Sequence, residues 1–248
     1  MRRQLALLFV AMQFLTKLPV PGAHALPLDA LAESARFFPI VGAIVGLGAI
    51  AIDVLVSPYA GRHVSVVLIL LYLMIVTGGL HDDGLADTAD GFGGGWTKEQ
   101  VLTIMRDSHI GSFGTLAIAF SLLARFVFLT TLPAGAFSGV ILAAHVLSRW
   151  TALPLARWLP PARDEAGQGA RIARKMSATT LVVGTGCMTI LVCAARGLAG
   201  VPLIAVAAGV AALTGAYYRR RIGGITGDCL GATCQVTELA VYFAGVVA

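Results

Sequence analysis

Apolar residues run along this chain in long blocks, not in strict alternation. Seven blocks approach the roughly 20 residues that a helix needs to cross a bilayer core: 37–57, 64–80, 111–132, 136–156, 178–195, 198–218 and 230–248. The polar residues gather in the segments between them, chiefly 16–36, 81–110, 157–177 and 219–229. The pattern predicts an all-α, polytopic membrane helical bundle of about seven transmembrane helices. An eighth apolar stretch, 5–18, is shorter and is ended by Pro19 and Pro21. It reads as an N-terminal interfacial or re-entrant helix. No small-residue cleavage pattern follows it, so it is not taken for a signal peptide. Glycines recur inside the blocks, as at Gly42 and Gly46, where small residues let helix backbones approach closely in lipid.

Composition agrees. The 248 residues are 57% hydrophobic and only 12% charged, with a mean hydropathy of +0.84. Ordinary soluble domains carry roughly 25% charged residues. Half that density excludes a soluble enzyme, a disordered chain and a nucleic-acid-binding domain. Neither a repeat nor an appended soluble domain interrupts the chain, so residues 1–248 are read as one integral-membrane unit. The net charge of +5 then matters for orientation. With 81–110 placed inside, threading the seven blocks puts Arg2, Arg3, Lys17, Arg36, Lys98, Arg106, Arg157, Arg163, Arg171, Arg174, Lys175 and Arg219 to Arg221 inside, and only Arg62 and Arg196 outside. That is 14 basic residues against 2, with Arg125 and Arg149 within blocks. The bias predicts a cytoplasmic face that carries every large polar segment. In a bacterial cell this is a multi-pass inner-membrane protein in contact with the lipid bilayer. Cys187, Cys193, Cys229 and Cys234 lack metal or disulfide spacing and read as small buried hydrophobes.

Chemistry concentrates where the second block ends. His81, Asp82, Asp83, Asp87 and Asp90 fall within ten residues, interspersed with Gly84 and Gly91 and followed by Gly93 to Gly95. On a helix, Asp83, Asp87 and Asp90 stand at i, i+4 and i+7 and share one stripe. Like charges in a stripe call for a cation. Hard oxygen ligands suit Mg²⁺ or Mn²⁺, and Mg²⁺ commonly shares substrate phosphates. The stripe therefore predicts metal-assisted chemistry on a phosphate or diphosphate. Gly84 and Gly91 are expected to leave room for ligand, and the amides of Gly93 to Gly95 to face an anion. His81 is a candidate ligand or base.

Two further clusters border the same face. Arg106, Asp107, Ser108 and His109 precede the third block. Capping of the next helix explains the serine; the functional reading gives Arg106 and Ser108 a phosphate and makes Asp107 a base or outer metal ligand. Gly223 to Asp228 precede the last block, which contains Glu238. Thr226 is a candidate phosphate contact and Asp228 a candidate base or cap. Glu238 and Arg149 are costly inside a bilayer, so they are functional or paired with one another. Asp53 and Arg125 are lesser candidates. The basic segment Arg163, Arg171, Arg174 and Lys175 is most simply a topology signal.

These residues resemble the adenosylcobinamide-GDP ribazoletransferase family, also called cobalamin (5′-phosphate) synthase. The pattern H-x-D-G-L-A-D-T-x-D-G is matched at His81, Asp83 to Thr88, Asp90 and Gly91. I-M-[RK]-D-S-x-x-G is similar to 104–111, and G-G-x-T-G-D-x-L-G-A to 223–232. F-x-T-x-[LI]-P-V-P is similar to 14–21, F-F-P-x-x-G to 37–42, and Ser148-Arg149 also looks familial. Asp82 replaces a commonly apolar residue, which leaves the metal assignment shared between Asp82 and Asp83; helical spacing favours Asp83, since Asp82 points about 100° away. His109 stands where the family often has Arg. The resemblance implies a late step of vitamin B12 assembly, in which α-ribazole or its 5′-phosphate is joined to adenosylcobinamide-GDP and GMP is released. Asp82, Asp83, Asp87 and Asp90 are then the metal candidates, Arg106, Arg149, Ser108 and Thr226 the phosphate contacts, and His81, Asp107 and Asp228 the catalytic candidates. Two alternatives remain open at this point: a CDP-alcohol phosphotransferase, whose fuller D-G-x-x-A-R spacing is missing because Asp87 follows Ala86, and a membrane transporter of cations or corrinoids. The Gly-rich spans also admit a homo-oligomer.

Overall fold

The computed structural model describes residues 2–20, 30–163, 172 and 174–248. Pro21 and Arg171 lie outside the described residues. Within them the chain is helical and holds no strand, only an isolated bridge between Pro161 and Ile225. The helices are α1 (Arg2–Leu15), α2 (Ala30–Ser34), α3 (Phe38–Thr77), α4 (Leu80–Gly94), α5 (Lys98–Ile104), α6 (Ser112–Thr131), α7 (Ala134–Trp158), α8 (Ala178–Arg196), α9 (Gly200–Ile222) and α10 (Gly227–Val247).

Among the described residues, five apolar helical stretches are long enough to cross a membrane. Two of them fold back on themselves. Helix α3 contains Pro58 and breaks at Gly61, whose φ of 80° is open to glycine. Its arms then lie antiparallel: Tyr72 reaches the Val45 carbonyl at 3.3 Å, and Ser65 donates to Asp53 at 2.8 Å. Arg62 stands 3.5 Å from the same carboxylate and stacks over Phe137. Asp53 therefore holds the hairpin at the end of the bundle remote from the acidic cluster. The second turn is at Gly197 (φ 57°), between α8 and α9. These turns resolve five stretches into the seven passes expected.

Helix α7 is the axis. In its most apolar stretch 89% is buried, against 22% for the stretch spanning α8 and α9. Small residues bring the neighbours in: Gly42 abuts the His145 backbone, Gly46 abuts Leu142, and Gly245 faces Val140. The Gly42–Gly46 pair is thus a helix–helix seam. The exposed leucines, valines and phenylalanines of the outer helices form the surface a bilayer covers. Cys229 and Cys234 are buried, whereas Cys193 faces outward.

The N-terminal helix has 14 residues, about 21 Å of rise against a hydrocarbon core of about 30 Å. Leu7, Ala11 and Leu15 bury one stripe of it. Arg3 bonds Glu33 at 2.8 Å, just before α3 begins, and the Lys17 N–H bonds the Val76 carbonyl at 2.7 Å, where α3 ends. Both of its ends are tied to one face of the bundle, so α1 lies along that face.

Candidate functional site

The i, i+4, i+7 spacing of Asp83, Asp87 and Asp90 holds on a helix, and the structure supplies one that is separate from the second block. Gly78 (φ 61°) and Gly79 (φ 70°) end α3, and α4 starts afresh from Leu80. Helix α4 lies against α6 and α10 at the same end of the bundle as α1. Its closest approach to α10 is through glycine. A side chain at Gly84 would meet the Asp228 carbonyl at 2.9 Å and the Gly231 Cα at 3.2 Å. Gly84 and Gly91 are therefore packing residues, not space for a ligand; Gly91 lies against Met105 and Val101. Gly93 and Gly94 are the last helical residues of α4, and the Gly95 amide bonds the Gly91 carbonyl at 2.9 Å. Their amides serve the helix and do not form an anion cradle.

The four aspartates of α4 separate by neighbour. Asp82 reaches across to Arg125 of α6 at 2.6 Å, 43 residues away. Asp90 is buried, and its two oxygens accept the amides of Gly111 at 2.7 Å and Gly114 at 2.9 Å. It caps α6 from a neighbouring helix, meeting amides that have no partner within α6. Of the four metal candidates on α4, Asp82 is thus engaged by a guanidinium and Asp90 by two backbone amides. Asp83 is exposed and Asp87 half-buried, and these two remain on the open side with Asp228. Among the described residues, no three His, Cys, Asp or Glu side chains converge as a preformed metal cage. The donor set is nonetheless chemically apt: three hard carboxylates share one region, and burial with the charges of Asp83, Asp228 and Asp90 pushes Asp87 up to about 7. Excess negative charge of that kind is relieved by a divalent cation.

Two cavities meet at this point. The first, about 330 Å³, is lined by Phe14, Leu15, Phe38, Leu80, His81, Asp83, Arg149, Ala152, Arg163, Ile172, Ile225 to Asp228, Leu230, Gly231 and Cys234. The second, about 510 Å³, is lined by Gln13, Phe14, Thr16, Lys17, Thr77 to Leu80, Asp83, Ala86, Asp87, Ser108, Ile110 and Ile118. Phe14, Leu80 and Asp83 belong to both.

Arg149 is the buried cation of the first cavity. It pairs with Glu238 and bonds Ser148 at 2.8 Å and the His145 ring at 2.9 Å. His145 in turn meets Tyr242 at 3.2 Å. The Arg149–Glu238 pair, an expectation from the cost of burying either alone, is thus present. The Nε of Arg149 has no hydrogen-bond partner among the described residues. His81 is buried beside it; burial and the Arg149 charge hold its imidazole down to about 3, so it is neutral near pH 7. Thr226 caps α10 by accepting the Cys229 amide and also donates to Asp228 at 3.1 Å.

Arg163 joins the site from a segment read as a topology signal. Residues 160–162 run beside Ile225, with Ile225 N–H to the Pro160 carbonyl at 2.9 Å and Ala162 N–H to the Ile225 carbonyl at 2.8 Å. That pairing brings Arg163 to 4.0 Å from Asp228 and lets it donate to the Leu102 carbonyl at 3.0 Å. Phe14, the first residue of the 14–21 pattern, lines both cavities and Lys17 the second, although neither is among the site residues expected from the sequence. The second polar cluster is less central. Asp107 is exposed and bonds the backbone and ring of His109 at 3.0 and 2.7 Å, which keeps its carboxyl below the usual range. Asp107 and Arg106 line neither cavity, whereas Ser108 lines the second.

The model of the family described as cobalamin-5-phosphate synthase matches residues 7–246. Curated relatives cover the chain end to end. The adenosylcobinamide-GDP ribazoletransferase of Shewanella oneidensis is 39% identical over 248 residues, covering 97% of this chain and 94% of its own. Proteins of the same name from Shewanella frigidimarina and Shewanella baltica are 37% and 36% identical, with the same coverage. No solved structure matches.

Proposed function

The chain belongs to the cobalamin-5-phosphate synthase family, and from that membership we propose that it joins α-ribazole or its 5′-phosphate to adenosylcobinamide-GDP, the late step of cobalamin biosynthesis its relatives are named for. It is a transferase. The acceptor hydroxyl oxygen bonds the phosphorus nearer the corrinoid, the phosphoanhydride bond breaks, and GMP leaves with the bridging oxygen. The hydroxyl proton passes to a carboxylate. Asp228 suits that role, since it lines the first cavity and is hydrogen-bonded and oriented by Thr226. Arg149 and Arg163 offset phosphate charge, and their planar forks suit phosphate oxygens. Neutral His81 offers a hydrogen bond beside Arg149.

We assign Mg²⁺ to Asp83 and Asp87, which line the second cavity together. The ion would neutralise charge on the diphosphate oxygens as the anhydride breaks. The basic-residue bias supports placing this face in the cytoplasm, with the chain in the bacterial inner membrane. The observation that carries the reading is Asp83 on the wall shared by two cavities, with Asp228 lining the first and Asp87 the second, in a chain whose family match spans residues 7–246.

The test is incubation of purified protein with adenosylcobinamide-GDP and α-ribazole, with a CDP-alcohol and diacylglycerol as the control pair. The expected products are adenosylcobalamin and GMP in equal amounts. Chelation should stop the reaction and added Mg²⁺ restore it. Turnover of the control pair alone would overturn the assignment; turnover that survives complete chelation would remove the metal from it.

A further inference from the structure

Resting on the transferase reading above, the geometry points to separate substrate subsites on the two sides of Asp83: the first cavity takes the acceptor nucleoside by its bicyclic base, and the second takes the diphosphate arm of the donor. The two spaces share Phe14, Leu80 and Asp83 as a dividing wall, the arrangement a direct transfer requires. Two substrates must approach one phosphorus from different directions, with the reacting atoms held close and aligned.

Their linings differ in kind. The first cavity descends between α1, α4, α7 and α10 onto Leu15, Phe38, Ala152 and Leu230, all buried. A flat, apolar heteroaromatic base fits such a floor. Polar groups stand where a ribose or its phosphate would sit: Arg149, with an unpartnered Nε; Arg163; and the carboxylates of Asp228 and Asp83. The second cavity is lined by Gln13, Thr16, Lys17 and Ser108 and by the carboxylates of Asp83 and Asp87. An ammonium and hydroxyls suit an anion, but two carboxylates repel one unless a cation lies between. In the first cavity Arg149 and Arg163 offset the two carboxylates, whereas in the second Lys17 alone faces two, so the donor subsite is the metal-dependent one and the acceptor subsite is not. Volume points the same way. Neither space, at about 330 and 510 Å³, encloses a corrin ring together with its nucleotide. Only the extended diphosphate arm of the donor needs to enter.

Equilibrium dialysis of the purified full chain against labelled α-ribazole and, separately, against adenosylcobinamide-GDP tests this, with and without Mg²⁺. Nucleoside binding should be unchanged by chelation, while donor binding weakens at least tenfold. Ala152→Leu, which fills the first cavity, should weaken the nucleoside about tenfold and leave the donor within twofold. Lys17→Ala and Ile118→Phe, in the second cavity, should do the reverse. Should Ala152→Leu fail to fold, Ala152→Val supplies the same comparison with a smaller shift. Loss of donor binding in the first-cavity variant, equal losses of both ligands in either set, or nucleoside binding that needs Mg²⁺ would each overturn the subsite assignment while leaving the transferase reading intact. A wild-type protein that releases no GMP with both substrates present would instead overturn that reading, and this one with it.

Discussion

Asp87 and Asp90 are one helical turn apart on α4, yet their surroundings assign them different work. Asp87 is half-buried at the second cavity, where Asp83 and Asp228 add to its charge burden. Replacing it with Asn keeps the shape and removes the charge. Asp87→Asn should lower kcat by roughly two orders of magnitude or more, as expected for a metal ligand, with the thermal midpoint in detergent essentially unchanged. Normal turnover in that variant would show that Asp87 holds no metal. Asp90 faces inward and satisfies two amides at the start of α6. Asp90→Ala should therefore be read first as a stability change, of about 1–3 kcal/mol, because two buried donors lose their partner. Chemical or thermal denaturation of the two variants side by side separates the roles. A strongly inactive but fully stable Asp90→Ala would return Asp90 to the metal shell.

Packing between elements decides which side chains share a site, and here the two sources of information part company. The crossings were legible in the sequence because block length and apolar content are local properties: 111–132 and 136–156 were foreseen, and α6 and α7 occupy them with ends shifted by at most two residues. The acidic helix was legible as a motif, and the cost of burying Arg149 and Glu238 foretold their pairing. Orientation was not legible. The partner of Asp82 lies 43 residues away, and the amides that Asp90 caps lie 21 and 24 residues away; helical periodicity carries no record of either. Arg163 was equally hidden, since its place depends on the backbone pairing near Ile225. Glycine shows the same limit. Gly84 is a contact point of α4 with α10, while Gly186 has nothing within 4 Å of where a side chain would begin. Gly84→Ala should push Asp83 and Asp87 away from Asp228, costing about 1–3 kcal/mol of stability and most of the activity. Gly186→Ala should leave both unchanged. Equal behaviour of the two variants in one activity and melting series would mean that the α4–α10 contact does not organise the site.

At the scale of the whole molecule, the fold puts its polar equipment at one end. Asp83, Asp87, Asp228, Arg163, Lys17 and the ends of α1 all gather there, while the opposite end has the Gly61 and Gly197 turns with Arg62 and Arg196. A soluble nucleotide-bearing substrate can then be met from a single compartment, without any path through the bundle. Sidedness is therefore a physical requirement of the proposed chemistry as well as a consequence of the basic-residue bias. Tyr59 and Trp96, each 91% exposed, mark the two ends. In a background with the four native cysteines replaced by alanine, Trp96→Cys and Tyr59→Cys give one label site apiece. A membrane-impermeant maleimide applied to intact cells or right-side-out vesicles should modify position 59 and spare 96, and inside-out vesicles should reverse the pattern. Labelling of both positions from one side would contradict the hairpin at Gly61. A reversed pattern would place the site outside, away from the cytoplasmic pool of guanine nucleotides, and would break the link between the charge bias and the catalytic face.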